Sequence, residues 1–149
     1  MKFEGIYTPI VTPYDDNHDI NYDAIEAIVD DLINSGVHGL LVAGTTGEYY
    51  SQEKDERLQL MKTCKEIIGN RLPFVVGTGA IRTEDSVFFA EQAAKVGADA
   101  ILVSTSPYAL PTERENALHA LAIDRAANLP IMLYNYPGRT GAMMGAEYL

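Results

Sequence analysis

Short apolar, partly β-branched runs at Ile6–Val11, Gly39–Ala43, Phe74–Gly77, Ala100–Ser104 and Ile131–Asn135 punctuate the chain about every thirty residues and predict five strands. Between them, apolar residues recur at helical spacing: Ile25, Ile28, Val29, Leu32 and Ile33; then Leu58, Met61, Ile67 and Ile68; then Val87, Ala90 and Ala94. Asn21, Ser51, Thr83 and Thr112 are placed to cap helix N-termini, with Thr112 and Glu115 spaced as a capping box. Gly36, Gly69 and Gly97 stand where helices should stop. Apolar strands joined by helical crossovers predict a parallel sheet covered by helices, without a linker or low-complexity stretch dividing the chain.

Two architectures accommodate five βα units in 149 residues. A doubly wound open sheet closes at this length, whereas an eight-unit barrel typically takes about 250 residues. Against the open sheet, the sequence ends at 145–149, where a helix following the fifth strand is expected to start.

Ligand sites in parallel α/β folds form beyond the C-terminal ends of strands. Here those segments read Thr12-Pro13-Tyr14, Gly44-Thr45-Thr46-Gly47-Glu48, Thr78-Gly79-Ala80, Ser104 to Tyr108, and Tyr134-Asn135-Tyr136-Pro137-Gly138-Arg139-Thr140-Gly141. In the segment 44–48, two glycines flank two hydroxyls, so amides and threonine side chains can converge on a carboxylate or phosphate; a tight βα turn with caps is an equally available reading. No lysine follows the second glycine as a phosphate loop requires, and Gly77-Thr78-Gly79 lacks the third glycine of a dinucleotide fingerprint, which is Arg82. Tyr134 and Arg139 flank a Pro-Gly turn, which lets a phenol and a carboxylate-binding guanidinium face one pocket; a core tyrosine and a solvated arginine are the plain alternatives.

Composition narrows the partners. Twenty-one acidic against eleven basic residues give a net charge of −10, which disfavours nucleic acid and anionic membranes. The apolar runs are far shorter than the ~20 residues of a membrane span, and the first four residues lack signal-peptide character, so a cytoplasmic location is expected. Cys64 is the single cysteine and reads as a core hydrophobe. His18, His38 and His119 lack metal spacing and read as structural; neither metal nor cofactor is expected.

Thr8-Pro9-Ile10-Val11-Thr12-Pro13, GTTGE at 44–48, VVGTGA at 75–80 and YNYPGRTG at 134–141 occur together and in order. With them the chain resembles the dihydrodipicolinate synthase and N-acetylneuraminate lyase family of pyruvate-dependent class I aldolases on (β/α)8 barrels, over the first half of that fold. The resemblance implies that Thr46, with Gly47 and nearby amides, holds the pyruvate carboxylate. It implies that Thr45 relays protons to Tyr134, the tyrosine of Schiff-base formation and cyclisation. Arg139 matches the arginine that grips aspartate semialdehyde in the synthase branch. A second relay tyrosine, contributed across a dimer interface from a Pro-Tyr-Tyr loop, has Tyr108 as its candidate in Ser106-Pro107-Tyr108-Ala109-Leu110-Pro111.

The family's Schiff-base lysine lies on strand six, beyond Leu149. Lys2 is terminal, and Lys54, Lys62, Lys65 and Lys95 fall on predicted outer helices. The expectation is therefore a single partial-barrel domain over 1–149, homo-oligomeric, from a synthase acting on pyruvate and an aldehyde in lysine biosynthesis and inactive as this chain alone. A related sugar-acid aldolase, or a non-catalytic carboxylate-binding module with an open sheet, are the alternatives; strand order separates barrel from open sheet.

Overall fold

A computed structural model describes residues 2–148. Strands β1 (Tyr7–Pro9), β2 (Gly39–Val42), β3 (Phe74–Gly77), β4 (Ala100–Ser104) and β5 (Ile131–Tyr134) alternate with helices α1 (Tyr22–Asn34), α2 (Lys54–Ile68), α3 (Thr83–Lys95) and α4 (Glu113–Ala127). A single helical turn, α5 (Pro137–Thr140), follows β5. The strands pair in the order β1-β2-β3-β4-β5, every pair parallel.

That order has no switch point, which decides for a barrel segment against a doubly wound sheet. The packing agrees, because period-two alternation divides each strand between two faces. Leu40 and Val42, Phe74 and Val76, and Ile101 and Val103 join one core with Ile25 and Val29 of α1, Leu60, Met61, Cys64 and Ile68 of α2, Phe89, Ala90 and Ala93 of α3, and Ile123 and Ala127 of α4. The opposite face carries Leu41, Val75 and Ala100, with Tyr7 and Leu102 against them and no helical residue in the cluster. Helices on one face only, over a sheet that adds strands in chain order, are the arrangement of a (β/α) barrel wall.

Several boundaries differ from the sequence reading. β1 is shorter than Ile6–Val11: at its start the amide of Ile6 is taken by Nδ1 of His38 at 3.0 Å, and past Pro9 only the Ile10 amide, among the described residues, still reaches β2, at the Leu41 carbonyl. β2 ends before Ala43, whose φ of 54° is left-handed. Ser51 lies in a 3-10 turn (Tyr49–Ser51) and donates to the Glu48 carbonyl, while α2 is capped by Glu53 and Glu56. Thr83 is already inside α3 and turns its hydroxyl to His119. Asn21 and the Thr112–Glu115 box cap as expected. The element expected at 145–149 is a 3-10 turn over Ala146–Tyr148; Met1 and Leu149 lie outside the described residues.

Cys64 is buried and its thiol is pushed up to about 12 by burial, which leaves it a packing residue. No helix among the described residues is long and apolar enough to cross a membrane.

Candidate active site

At the C-terminal ends of the strands, on the helix-free face, lies a cleft of about 260 Å³. Its walls follow from strand alternation. Leu102 and Ser104 share the inner face of β4, and Tyr134 is the register partner of Ser104 on β5, so all three point into the cleft. Thr105, the next residue, reaches the buried Asn116 of α4, to whose Oδ1 its hydroxyl donates. After β2 the left-handed Ala43 turns the chain to present Gly44 and Thr45, and Gly77 at the end of β3 and Gly79 just beyond it also line the cleft. Arg139 and Thr140 enter from α5, which Pro137 opens and the left-handed Gly141 closes.

Of the residues singled out in the sequence, Thr45, Tyr134 and Arg139 therefore line one cleft, contributed by three segments. Thr46 is exposed and off its lining. Gly47 is buried beneath it: its carbonyl accepts from the Thr12 hydroxyl at 2.7 Å and from Nε2 of Gln52 at 2.8 Å. Its amide donates to Gly44 at 3.1 Å, so Gly47 braces the loop. Tyr108 is 93% exposed with φ of 71° and lines a neighbouring hollow with Tyr50 and Ile81, not the cleft.

No lysine lines the cleft among the described residues. Lys54 pairs with Asp85 at 2.8 Å, Lys65 donates to the Gly69 carbonyl at 3.2 Å, and Lys2, Lys62 and Lys95 are exposed. No group of three or more metal-ligating side chains occurs among the described residues. His38 and His119 are engaged within the fold, the first by the Ile6 amide and the second by Thr83.

The sequence reading missed Arg57 and Tyr49. Arg57 is 2% exposed on α2 and donates from Nη1 to the Gly79 carbonyl at 2.8 Å and from Nη2 to the Gly77 carbonyl at 2.5 Å. Its guanidinium lies 3.8 Å from the Phe89 ring centre and 5.0 Å from that of Tyr49. Burial pulls it down to about 10. Tyr49 lines the cleft, and burial raises its phenol while the Arg57 charge partly offsets this. The one available signal was positional: Arg57 falls on the same helical stripe as Leu60, Met61, Cys64 and Ile68, all of them buried.

This geometry has close counterparts. The model of the Dihydrodipicolinate synthetase family matches residues 2–149. A 4-hydroxy-tetrahydrodipicolinate synthase of Limosilactobacillus reuteri is 38% identical over 148 residues, 99% of this chain and 48% of that protein. Among solved structures, dihydrodipicolinate synthase of Bacillus anthracis superposes with a TM-score of 0.95 at 32% identity, covering 99% of this chain and 51% of the other. The chloride-inhibited dihydrodipicolinate synthase of Acinetobacter baumannii complexed with pyruvate gives a TM-score of 0.94 at 33% identity, covering 99% of this chain and 50% of the other. The chain thus spans about half the length of the relatives it matches. With that match running along all its βα units, it belongs to the dihydrodipicolinate synthetase family.

Proposed function

We propose that residues 1–149 form the first five βα units of a barrel that condenses pyruvate with aspartate semialdehyde, as a 4-hydroxy-tetrahydrodipicolinate synthase does in lysine biosynthesis. The observation that carries the reading is the convergence of Thr45, Tyr134 and Arg139 on one cleft at the strand ends. In this reading an amine adds to the pyruvate carbonyl and expels water, giving an iminium that serves as the electron sink for carbon–carbon bond formation. Tyr134 passes protons to and from the adduct through the Thr45 hydroxyl. Thr46 and the amides near Gly47 hold the pyruvate carboxylate, and Arg139 grips the carboxylate of the aldehyde.

In this reading the amine comes from outside residues 1–149, since no lysine among the described residues lines the cleft, and the chain alone performs no condensation. The reading includes a cytoplasmic location and assembly of copies through the rim where Tyr50, Ile81, Tyr108 and Leu110 stand exposed. Tyr108 is the candidate for a relay phenol given to a neighbouring copy. Its position off the cleft also keeps a second reading, an aldolase for another 2-keto acid, whose co-substrate needs no such phenol.

Titration of the isotopically labelled chain with pyruvate tests the proposal. Amide shifts concentrated at Gly44–Thr46, Gly77–Gly79 and Tyr134–Thr140 are expected. Shifts confined to other surfaces, or none at tens of millimolar, would refute it.

A further inference from the structure

Arg57 has no ionic partner among the described residues, although it is among the most deeply buried side chains, and its hydrogen bonds go to backbone carbonyls. A buried cation without a counter-charge is costly to keep in an apolar core. Leucine or methionine would fill the same stripe on α2 without that cost. Of the groups that Arg57 touches, Gly77, Gly79 and Tyr49 form the cleft wall, while Phe89 packs behind it. Gly77 and Gly79 line the cleft, and Arg57 holds both by their carbonyls. Tyr49 lines it too, its ring near both the Arg57 guanidinium and Gly79: a Cβ added at Gly79 would lie 2.9 Å from the Tyr49 phenol oxygen. Arg57 itself does not reach the lining.

We propose that Arg57 is a positioning residue of the cleft. Its fork fixes the Gly77–Gly79 rim and the Tyr49 ring, and its charge, set just behind them, makes the cleft favourable for an anionic ligand. The counter-charge missing from the fold is then supplied by the ligand, in a protein whose net charge of −10 would otherwise repel it. A cation in a water-poor wall acts over several ångströms because little solvent screens it. This inference rests on the cleft being a keto-acid site, and its test separates the two.

The test compares the wild type with Arg57→Met and Arg57→Lys, using pyruvate and its neutral isostere pyruvamide as probes and following the Tyr49 phenol by carbon-13 labelling. Arg57→Met is expected to weaken pyruvate roughly fivefold while changing pyruvamide less than twofold, and to raise the Tyr49 pKa. Arg57→Lys should restore the pyruvate preference and the Tyr49 titration, while the Gly77 and Gly79 carbonyl carbon-13 shifts remain displaced because an ammonium cannot bridge both. Equal losses for the two probes in Arg57→Met, with no recovery in Arg57→Lys, would reduce Arg57 to a folding role and overturn the proposal. So would a Tyr49 titration indifferent to the charge at position 57. If the wild type binds neither probe, the keto-acid reading fails by itself, and the Tyr49 titration and the carbonyl shifts still decide whether Arg57 sets the wall. Should Arg57→Met not fold, Arg57→Lys and Arg57→Gln carry the same comparison.

Discussion

Oγ1 of Thr83, in the first turn of α3, lies 2.9 Å from Nδ1 of His119 in α4, which ties the two helices together beneath the strand ends. His119 is buried, and burial holds its imidazole below the ordinary value of 6.5. The unfolded chain therefore binds a proton on this side chain as pH falls through about 6.5, while the folded chain does so only at lower pH. The stability contributed by neutral His119 is complete above that window and is lost progressively as pH falls toward the folded pKa. Urea titrations between pH 7.5 and 5.5 should show a decline that is smaller in His119→Gln. An equal decline in both proteins would assign the pH dependence elsewhere.

Arg139 should discriminate between carboxylates. If it reads the carboxylate of a second substrate, Arg139→Ala weakens a small dicarboxylate by the value of one charge-assisted partner, roughly 1.5–3 kcal/mol, and pyruvate by much less. Calorimetry with both ligands measures the difference, and equal losses would show that Arg139 does not distinguish them.

The lysines supply a sharper prediction. Imine formation near neutral pH needs an amine that is partly deprotonated, which burial or a neighbouring cation provides. Lys54 is paired to Asp85, and Lys62 and Lys95 are solvated on outer helices. Pyruvate with borohydride should therefore leave the intact mass of the 149-residue chain without a stoichiometric adduct. A chain extended through a sixth strand should gain one adduct, at a lysine of that strand. Single-site labelling of the 149-residue chain would contradict the placement of its lysines.

Gly77 and Gly36 should respond differently to alanine. At Gly77 a Cβ would press into the Ala43 carbonyl, 2.9 Å from its carbon, and both are backbone groups that meet at the cleft. Overpacking of this kind costs about 1–3 kcal/mol, here on top of any conformational cost, and should also disturb ligand binding. At Gly36 nothing lies within 4 Å, and only its φ of 79° opposes a side chain. The cost there is about 1 kcal/mol, with binding unchanged. Thermal melts and pyruvate titrations of the two variants would separate steric from conformational demands; similar behaviour in both would not fit.

The barrel wall was legible because its strands are short apolar runs and each helix carries one apolar stripe, patterns that survive without knowledge of neighbours. Pro137 and Gly138 begin the helical turn α5; Tyr134 and Arg139 were legible as candidates through the YNYPGRTG segment and its resemblance, since spacing alone left a core tyrosine and a solvated arginine open. Arg57 was not, since a lone cation on a helix usually faces water, and only the ring faces of Tyr49 and Phe89 and the two glycine carbonyls make its burial tolerable. Ser51 and Thr83 misled as caps because a hydroxyl near a helix start has other partners within reach, here the carbonyl of Glu48 three residues back for Ser51 and the imidazole of His119 on a neighbouring helix for Thr83. The role of Gly47 depended on Thr12, thirty-five residues earlier, and on Gln52. No local pattern encodes such a distant bond.

The neighbour-to-neighbour strand order bears on how the chain acquires its shape. Each ladder joins segments about 25–34 residues apart, as in Val75 with Ala100 and Leu40 with Phe74. No pairing among the five strands spans the whole sequence. Loop closure over such distances is brief and its entropic cost grows only slowly with length. During synthesis each strand can dock on its predecessor as soon as it is free of the ribosome, with the intervening helix folding over the new pair. The polypeptide can thus become ordered in the direction in which it is made, one βα unit at a time.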